Sequence, residues 1–235
     1  MLTAVVTESL ERRLVSRRLY PALAAGILAA AAIGTGLGVD YTAGSWAERI
    51  DAAADGRLIA RFGRQVGLVR GVADLGGPAV VLLAVSALVV AMLALGRLRG
   101  ALLAVMAPAV ATLITEVILK PLVGRIHLGQ AYPSGHATGF CSVAFVVVVL
   151  ALDQRPRRLP RPVQTVVCGA ALALVGCVCV ALVAAQYHFA TDTIGGVCVA
   201  LVTVLTVAVV IDEVADRRTK HRLDNRATDG HRALD

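Results

Sequence analysis

Aromatic side chains make up only 4% of this chain, with a single tryptophan, and charged residues only 17%. The formal charge is nevertheless +7, a balance that in a soluble protein suggests nucleic acid. Such binding needs a basic surface interleaved with stacking rings. Four phenylalanines, four tyrosines and one tryptophan scattered over 235 residues do not supply one, so no nucleic-acid partner is expected. The cysteines are few as well: Cys141, Cys168, Cys177, Cys179 and Cys198 all lie inside apolar runs, and Cys177 and Cys179 are spaced C-x-C rather than C-x-x-C. No disulfide framework follows, and the thiols read as small buried hydrophobes. No H-E-x-x-H and no carboxylate cluster completes a metal site, so neither metal nor cofactor is expected.

What the chain has in excess is apolar. Hydrophobic residues are 57% of it and its mean hydropathy is +0.76, against about 45–50% apolar in soluble domains. Six apolar runs stand out, at residues 19–39, 78–95, 101–119, 137–152, 163–185 and 193–211. At ~1.5 Å per residue such runs cross a hydrocarbon core of ~30 Å. The expected fold is all-α: a polytopic membrane protein with a six-transmembrane-helix bundle over residues 19–211. Around it lie an N-terminal segment 1–18, an outside loop 40–77, a motif-bearing region 120–192 and a basic tail 212–235 expected to be disordered. The first run exceeds the usual signal-peptide core, so it reads as a retained span.

Lysine and arginine near span ends set orientation. With the N-terminus inside, sixteen of these residues fall on inner segments and seven on outer ones. Both termini are therefore expected in the cytoplasm of a multi-pass protein of the cell (inner) membrane. Within the outside loop, Arg57–Gly71 reads as one short amphipathic helix. Leu58, Ile59, Phe62, Val66 and Val69 share a face, and Arg57, Arg61, Arg64 and Gln65 share the other. Such a helix lies in the headgroup region or caps the bundle.

Polar residues at membrane depth are costly and usually functional, and here they gather in two outside connections. In Tyr132-Pro133-Ser134-Gly135-His136, Ser134 suits a helix N-cap and Gly135 lets a ligand reach the backbone. The free N–H groups of a helix start favour an anion, and His136 sits in that first turn. Taken alone, this is also an ordinary cap with an incidental histidine. In Gln186–Asp192, His188 and Asp192 are four residues apart, on one face if the stretch is helical. A carboxylate on one ring nitrogen leaves the other free as nucleophile. The plainer alternative is Asp192 as a cap for the last span. In Lys120-Pro121-Leu122-Val123-Gly124-Arg125-Ile126-His127, two cations end the third run, where they either meet a substrate or snorkel to headgroups. Glu116, one turn earlier, is a natural partner for Lys120.

Taken together, the order and spacing of these segments resemble the type 2 phosphatidic acid phosphatase superfamily of integral-membrane lipid phosphatases. That family carries Lys, six residues, Arg-Pro; then Pro-Ser-Gly-His; then Ser-Arg, five residues, His, three residues, Asp. Lys120, Ser134, Gly135, His136, His188 and Asp192 match. His127-Leu128 stands where the family has Arg-Pro, and Ala181-Leu182 where it has Ser-Arg. Two phosphate-clamping arginines are missing, and one lost donor at such a site costs about 3–4 kcal/mol.

The resemblance implies metal-independent hydrolysis of a lipid phosphomonoester or diphosphate through phosphohistidine. His188 would be the nucleophile, Asp192 its orienting carboxylate and His136 the acid–base. Lys120, Arg125, Ser134, Gly135 and His127 would bind the phosphate on the outer face. Arg125 is expected to carry the replacement charge, because an exposed histidine is mostly neutral at pH 7. The expected partners are membrane lipids and a lipid phosphate substrate: polyprenyl phosphate or diphosphate, phosphatidic acid or phosphatidylglycerophosphate. A homodimer is left open. The rival reading is a weak or inactive relative serving as a lipid-binding or accessory membrane subunit, which would explain the missing arginines directly.

Overall fold

The computed structural model describes residues 13–43, 46–126, 131–152 and 159–232, with backbone alone for 42–43 and 222–232. Every regular element among them is helical. The long elements are α1 (Tyr20–Ala43), α2 (Trp46–Phe62), α3 (Val66–Ala73), α4 (Pro78–Ala94), α5 (Leu98–Leu113), α6 (Gly135–Ala151), α7 (Arg161–Ala184) and α8 (Ala190–Arg232). Each of the six apolar runs folds as a helix, namely α1, α4, α5, α6, α7 and α8. Among the described residues, four segments are long and apolar enough to cross a membrane: Arg17–Tyr41, Leu98–Val123, Arg161–Ala184 and Ala190–His221. A fifth joins them if Val66–Gly76 and Pro78–Ala94, bent by 51° at their junction, count as one. The expected six is therefore four or five by length, because α4 and α6 have only 17 residues each. Such helices rise ~25 Å, at the short end of what spans a bilayer.

The last helix is the strut of the bundle, with α1, α5 and α6 packed around it. Its contact face is Ala200, Val204 and Ala208, and α5 offers Leu103, Ala104 and Ala107; all six are at most 1% exposed. Alanine at one-turn spacing lets helix backbones approach closely, which is how helices associate where lipid supplies no hydrophobic drive. The opposite surfaces carry exposed Leu28, Leu82, Leu83, Val117 and Val166, the pattern of a lipid-facing shell.

At one end of α8 the polar contacts are structural. Asp212 is fully buried. It accepts the backbone N–H groups of Leu14 and Val15 at 2.9 Å each and pairs with the buried Arg99 at 2.8 Å. Arg13 bridges Glu213 and Asp216. The segment ahead of α1 is thereby tied to the far end of the chain. This end of α8 does not stop at residue 211. Helical backbone continues to Arg232, so the tail expected to be disordered is helical over 212–232. No proline and no glycine before Gly230 interrupts it, and the first turn past the apolar run is held by Arg99 and Arg13.

The connection over residues 40–77 also differs from expectation. Arg57–Gly71 is not one helix: α2 ends at Phe62, and α3 begins at Val66. Gly63 closes α2 by donating to the Ile59 carbonyl at 2.8 Å. The apolar residues then fold inward, with Phe62, Val69 and Ala73 packing on Val178, Ala181 and Leu182 of α7. The loop caps the bundle.

Candidate active site

The site lies at the opposite end of α8, where four chain segments meet. The first is the end of α5. The residues that continue it, Ile114–Leu119, widen into a π-helical turn before Lys120–Val123 resumes the α form. Pro121 has no N–H to donate, and such widened turns collect beside prolines and functional residues. The turn carries Glu116, whose carboxylate pairs with Lys120 Nζ at 2.8 Å. Thr115 in the same turn donates to Thr138 of α6 at 3.3 Å, which fixes the pair beside the start of α6. Gly124, at φ +67°, ends the helix in the left-handed conformation that favours glycine and turns the chain so that Arg125 points back into the bundle.

The second segment is the start of α6. Ser134 is the N-cap, its Oγ accepting the Ala137 N–H at 3.2 Å, and it is fully buried. Its backbone N–H donates to the Asp192 carbonyl at 3.0 Å, joining the two motifs directly. Gly196 of α8 makes that contact possible, since a Cβ there would stand 2.7 Å from the Ser134 carbonyl. A side chain at Gly135 would collide with the Glu116 carboxylate and lie 3.5 Å from Lys120 Nζ. The Glu116–Lys120 pair thus sits over the helix start where an anion would bind.

The third segment carries the histidine–aspartate pair. His188 and Phe189 precede α8, which begins at Ala190; the two motif residues do not share a helix face. They meet because the chain turns at Gln186, at φ +62°, and Asp192 then lies in the first turn of α8. Asp192 is fully buried; its Oδ2 accepts the Phe189 N–H at 3.1 Å and stands 3.8 Å from His188 Nδ1. That nitrogen is buried with no hydrogen-bond partner among the described residues. The His136 ring lies across from His188 with 5.7 Å between centroids, and Tyr187 flanks His136 at 6.2 Å.

Arg125 is not a free fork. Its Nη1 donates to Asp192 Oδ1 at 2.7 Å and its Nη2 to Asp51 Oδ2 at 2.8 Å. Its two faces are covered by the rings of Tyr41 at 3.7 Å and Phe189 at 4.0 Å. A phosphate would have to displace a carboxylate to reach it. Leu182, where the resemblance expects arginine, is buried in the apolar cluster under α3. His127 lies outside the described residues.

The fourth segment, α2, is one that sequence reasoning did not place here. Asp51 accepts the Thr191 N–H at 2.8 Å, and Asp55, one turn on, accepts the Ala190 N–H at 3.1 Å. Together they cap the start of α8. Burial pushes the Asp55 carboxyl up to about 6. The only signal in the sequence is the one-turn spacing of Asp51 and Asp55, on a helix with as many acids as arginines.

No curated protein and no solved structure matches the chain. The sequence profile of the PAP2 superfamily matches residues 79–215, more than half of it, including the π turn, the Ser134 cap and the His188–Asp192 pair. The chain therefore belongs to the PAP2 superfamily and is a phosphatase-type membrane protein.

Proposed function

We propose that this protein hydrolyses a lipid phosphomonoester or diphosphate through a phosphohistidine on His188, with no metal taking part. The observation that carries the reading is the placement of His188, with Nδ1 toward buried Asp192 and the His136 ring 5.7 Å away, at one end of an apolar helical bundle. With Nδ1 turned to Asp192, Nε2 is the attacking atom. In the first step the His188 N–P bond forms and the bond from phosphorus to the lipid oxygen breaks. His136 gives that oxygen its proton while Asp192 steadies the imidazolium. In the second step His136 takes a proton from water, the water oxygen bonds to phosphorus, and the N–P bond breaks to release phosphate.

Lys120 and the N–H groups at Gly135 and His136 hold the equatorial oxygens, once Glu116 has swung aside. Ser134 keeps those N–H groups in place. Arg125 acts on Asp192 rather than on the phosphate. The lipid tail stays in the membrane, and the charge bias of the loops puts the site on the outer face with both termini in the cytoplasm. Polyprenyl phosphate or diphosphate, phosphatidic acid and phosphatidylglycerophosphate all fit this chemistry.

One observation favours the accessory reading: both pocket cations are engaged by carboxylates, Lys120 by Glu116 and Arg125 by Asp51 and Asp192. A single experiment separates the two. Purified protein in detergent is offered that panel of lipid phosphates with EDTA present, beside His188→Ala. Phosphate release by the parent, lost in a monodisperse His188→Ala, supports the enzyme. Binding without release by the parent supports the accessory subunit.

A further inference from the structure

Asp51 is the buried acid of α2, one turn ahead of the half-buried Asp55, on a helix whose Glu48, Arg49 and Arg57 are exposed. Its side chain is 5% exposed. Oδ1 accepts the Thr191 N–H at 2.8 Å. Oδ2 accepts the Thr191 hydroxyl at 2.8 Å, the Tyr41 hydroxyl at 2.6 Å and Arg125 Nη2 at 2.8 Å. Through Arg125 it is one step from Asp192 and two from His188. The guanidinium is planar and its donor fork rigid, and rings cover both of its faces. It is a spacer of fixed length, so the position of Asp51 sets the position of Asp192.

Charge makes a second argument. Arg125 with Asp192 alone would be a neutral pair and would offer little to an imidazolium forming on His188. With Asp51 the buried trio carries a net negative charge, at a depth where charges are weakly screened. We propose that Asp51 is a positioning residue of the hydrolytic site: through Arg125 it holds Asp192 in place and offsets the charge of Arg125 beside His188, so that α2 completes the site. The inference rests on the hydrolytic reading above and adds to it a residue from outside the motif region. The other groups around His188 are His136 and Tyr187, Lys120 with Glu116 beyond Gly135, Asp74 at the Tyr187 hydroxyl, and Asp55 on α2. All are common to the variants below, so the comparison isolates Asp51.

The test measures kcat and KM for phosphate release in detergent at several pH values between about 5 and 8, the range in which histidine changes charge. The proteins are the parent, Asp51→Asn, Asp51→Glu, Arg125→Met and the double variant Asp51→Asn/Arg125→Met. Asp51→Asn keeps the shape and loses the charge. It should lower kcat about tenfold with KM within about twofold, as expected when an interaction acts in the transition state only. The acid limb of its profile should move to lower pH, because the whole charge of Arg125 then opposes protonation nearby. Asp51→Glu should recover most of kcat, and the double variant should return the acid limb to the parent's place.

A folded Asp51→Asn with the parent's kcat and profile overturns the proposal. So does one that is only less stable, since a purely structural contact leaves the profile alone. Should Asp51→Asn not fold, Arg125→Met and the double variant decide: an acid limb moved to higher pH in Arg125→Met and returned to the parent's place in the double variant supports the proposal, and the parent's limb in both overturns it. A parent that releases phosphate from none of the lipids overturns this inference and the hydrolytic reading together, whereas an active parent with indifferent variants overturns this one alone.

Discussion

Glu116 occupies the place where a phosphate is wanted. Its carboxylate lies against Gly135, and its partner Lys120 is the nearest cation to the α6 start. The side chain of Glu116 is 44% exposed, so the pair adds little stability and the carboxylate is free to swing. While it stays, it opposes an incoming phosphate and occupies the ammonium. Glu116→Gln should therefore lower KM for the lipid phosphate several-fold and strengthen inhibition by inorganic phosphate, while Lys120→Met should raise KM. Steady-state assays with a phosphate titration check both. A rise in KM for Glu116→Gln would instead make Glu116 the support that holds Lys120 in position. The same scale shows what the sequence hid. Lys120, His136, His188 and Asp192 are legible from their spacing, since their residue types have few other uses at membrane depth. The partners of Arg125 are not, because Asp51 and Asp192 are 74 and 67 residues away and only the fold brings them together. Arg125 looks like a clamp until its fork is seen to be filled.

Among the elements, α2 and α3 are the least legible in the sequence. Their amphipathic pattern was plain, but the pattern alone suits a membrane surface as well as a bundle, and a break at Gly63 turns one helix into two. The π turn was also invisible, because hydropathy does not report hydrogen-bond register. Docking of α2 can be followed by the chain's single tryptophan, Trp46, which is its first residue. Asp55 of this helix has its carboxyl pushed from 3.8 up to about 6 by burial. The docked helix then holds a proton that the released one does not, so its stability falls as pH rises through that window. Asp55→Asn keeps an acceptor for the Ala190 N–H and carries no charge. It should raise the unfolding temperature more at pH 7.5 than at pH 4.5, as read by Trp46 fluorescence. An equal effect at both pH values would mean that Asp55 is solvated rather than docked.

For the whole molecule, the two polar clusters mark opposite ends of one helix. From Asp192 to Asp212 is twenty residues of α8, a rise of ~30 Å, which equals the thickness of a hydrocarbon core. The candidate site and the Arg99–Asp212 lock thus stand at opposite ends of a helix long enough to cross a bilayer. The charge bias of the loops predicts which end faces outward, namely that of the candidate site. Gly56 in α2 is exposed and has open space around it, and Leu159 precedes α7 at the other end. In whole cells, a membrane-impermeant maleimide should label Gly56→Cys and leave Leu159→Cys unlabelled. The reverse result would put the site in the cytoplasm.

Transfer of the phosphoryl group to His188 is the central step of the proposed reaction. Protein turning over a lipid phosphate in EDTA is quenched in base, which preserves phosphohistidine, and digested for mass spectrometry. The prediction is one phosphoryl group on the peptide containing His188, absent from His188→Ala and, with an activated aryl phosphate whose leaving group needs no proton, more abundant in His136→Ala, where water is no longer activated. Steady phosphate release with no phosphoryl group on that peptide in either active form would contradict it.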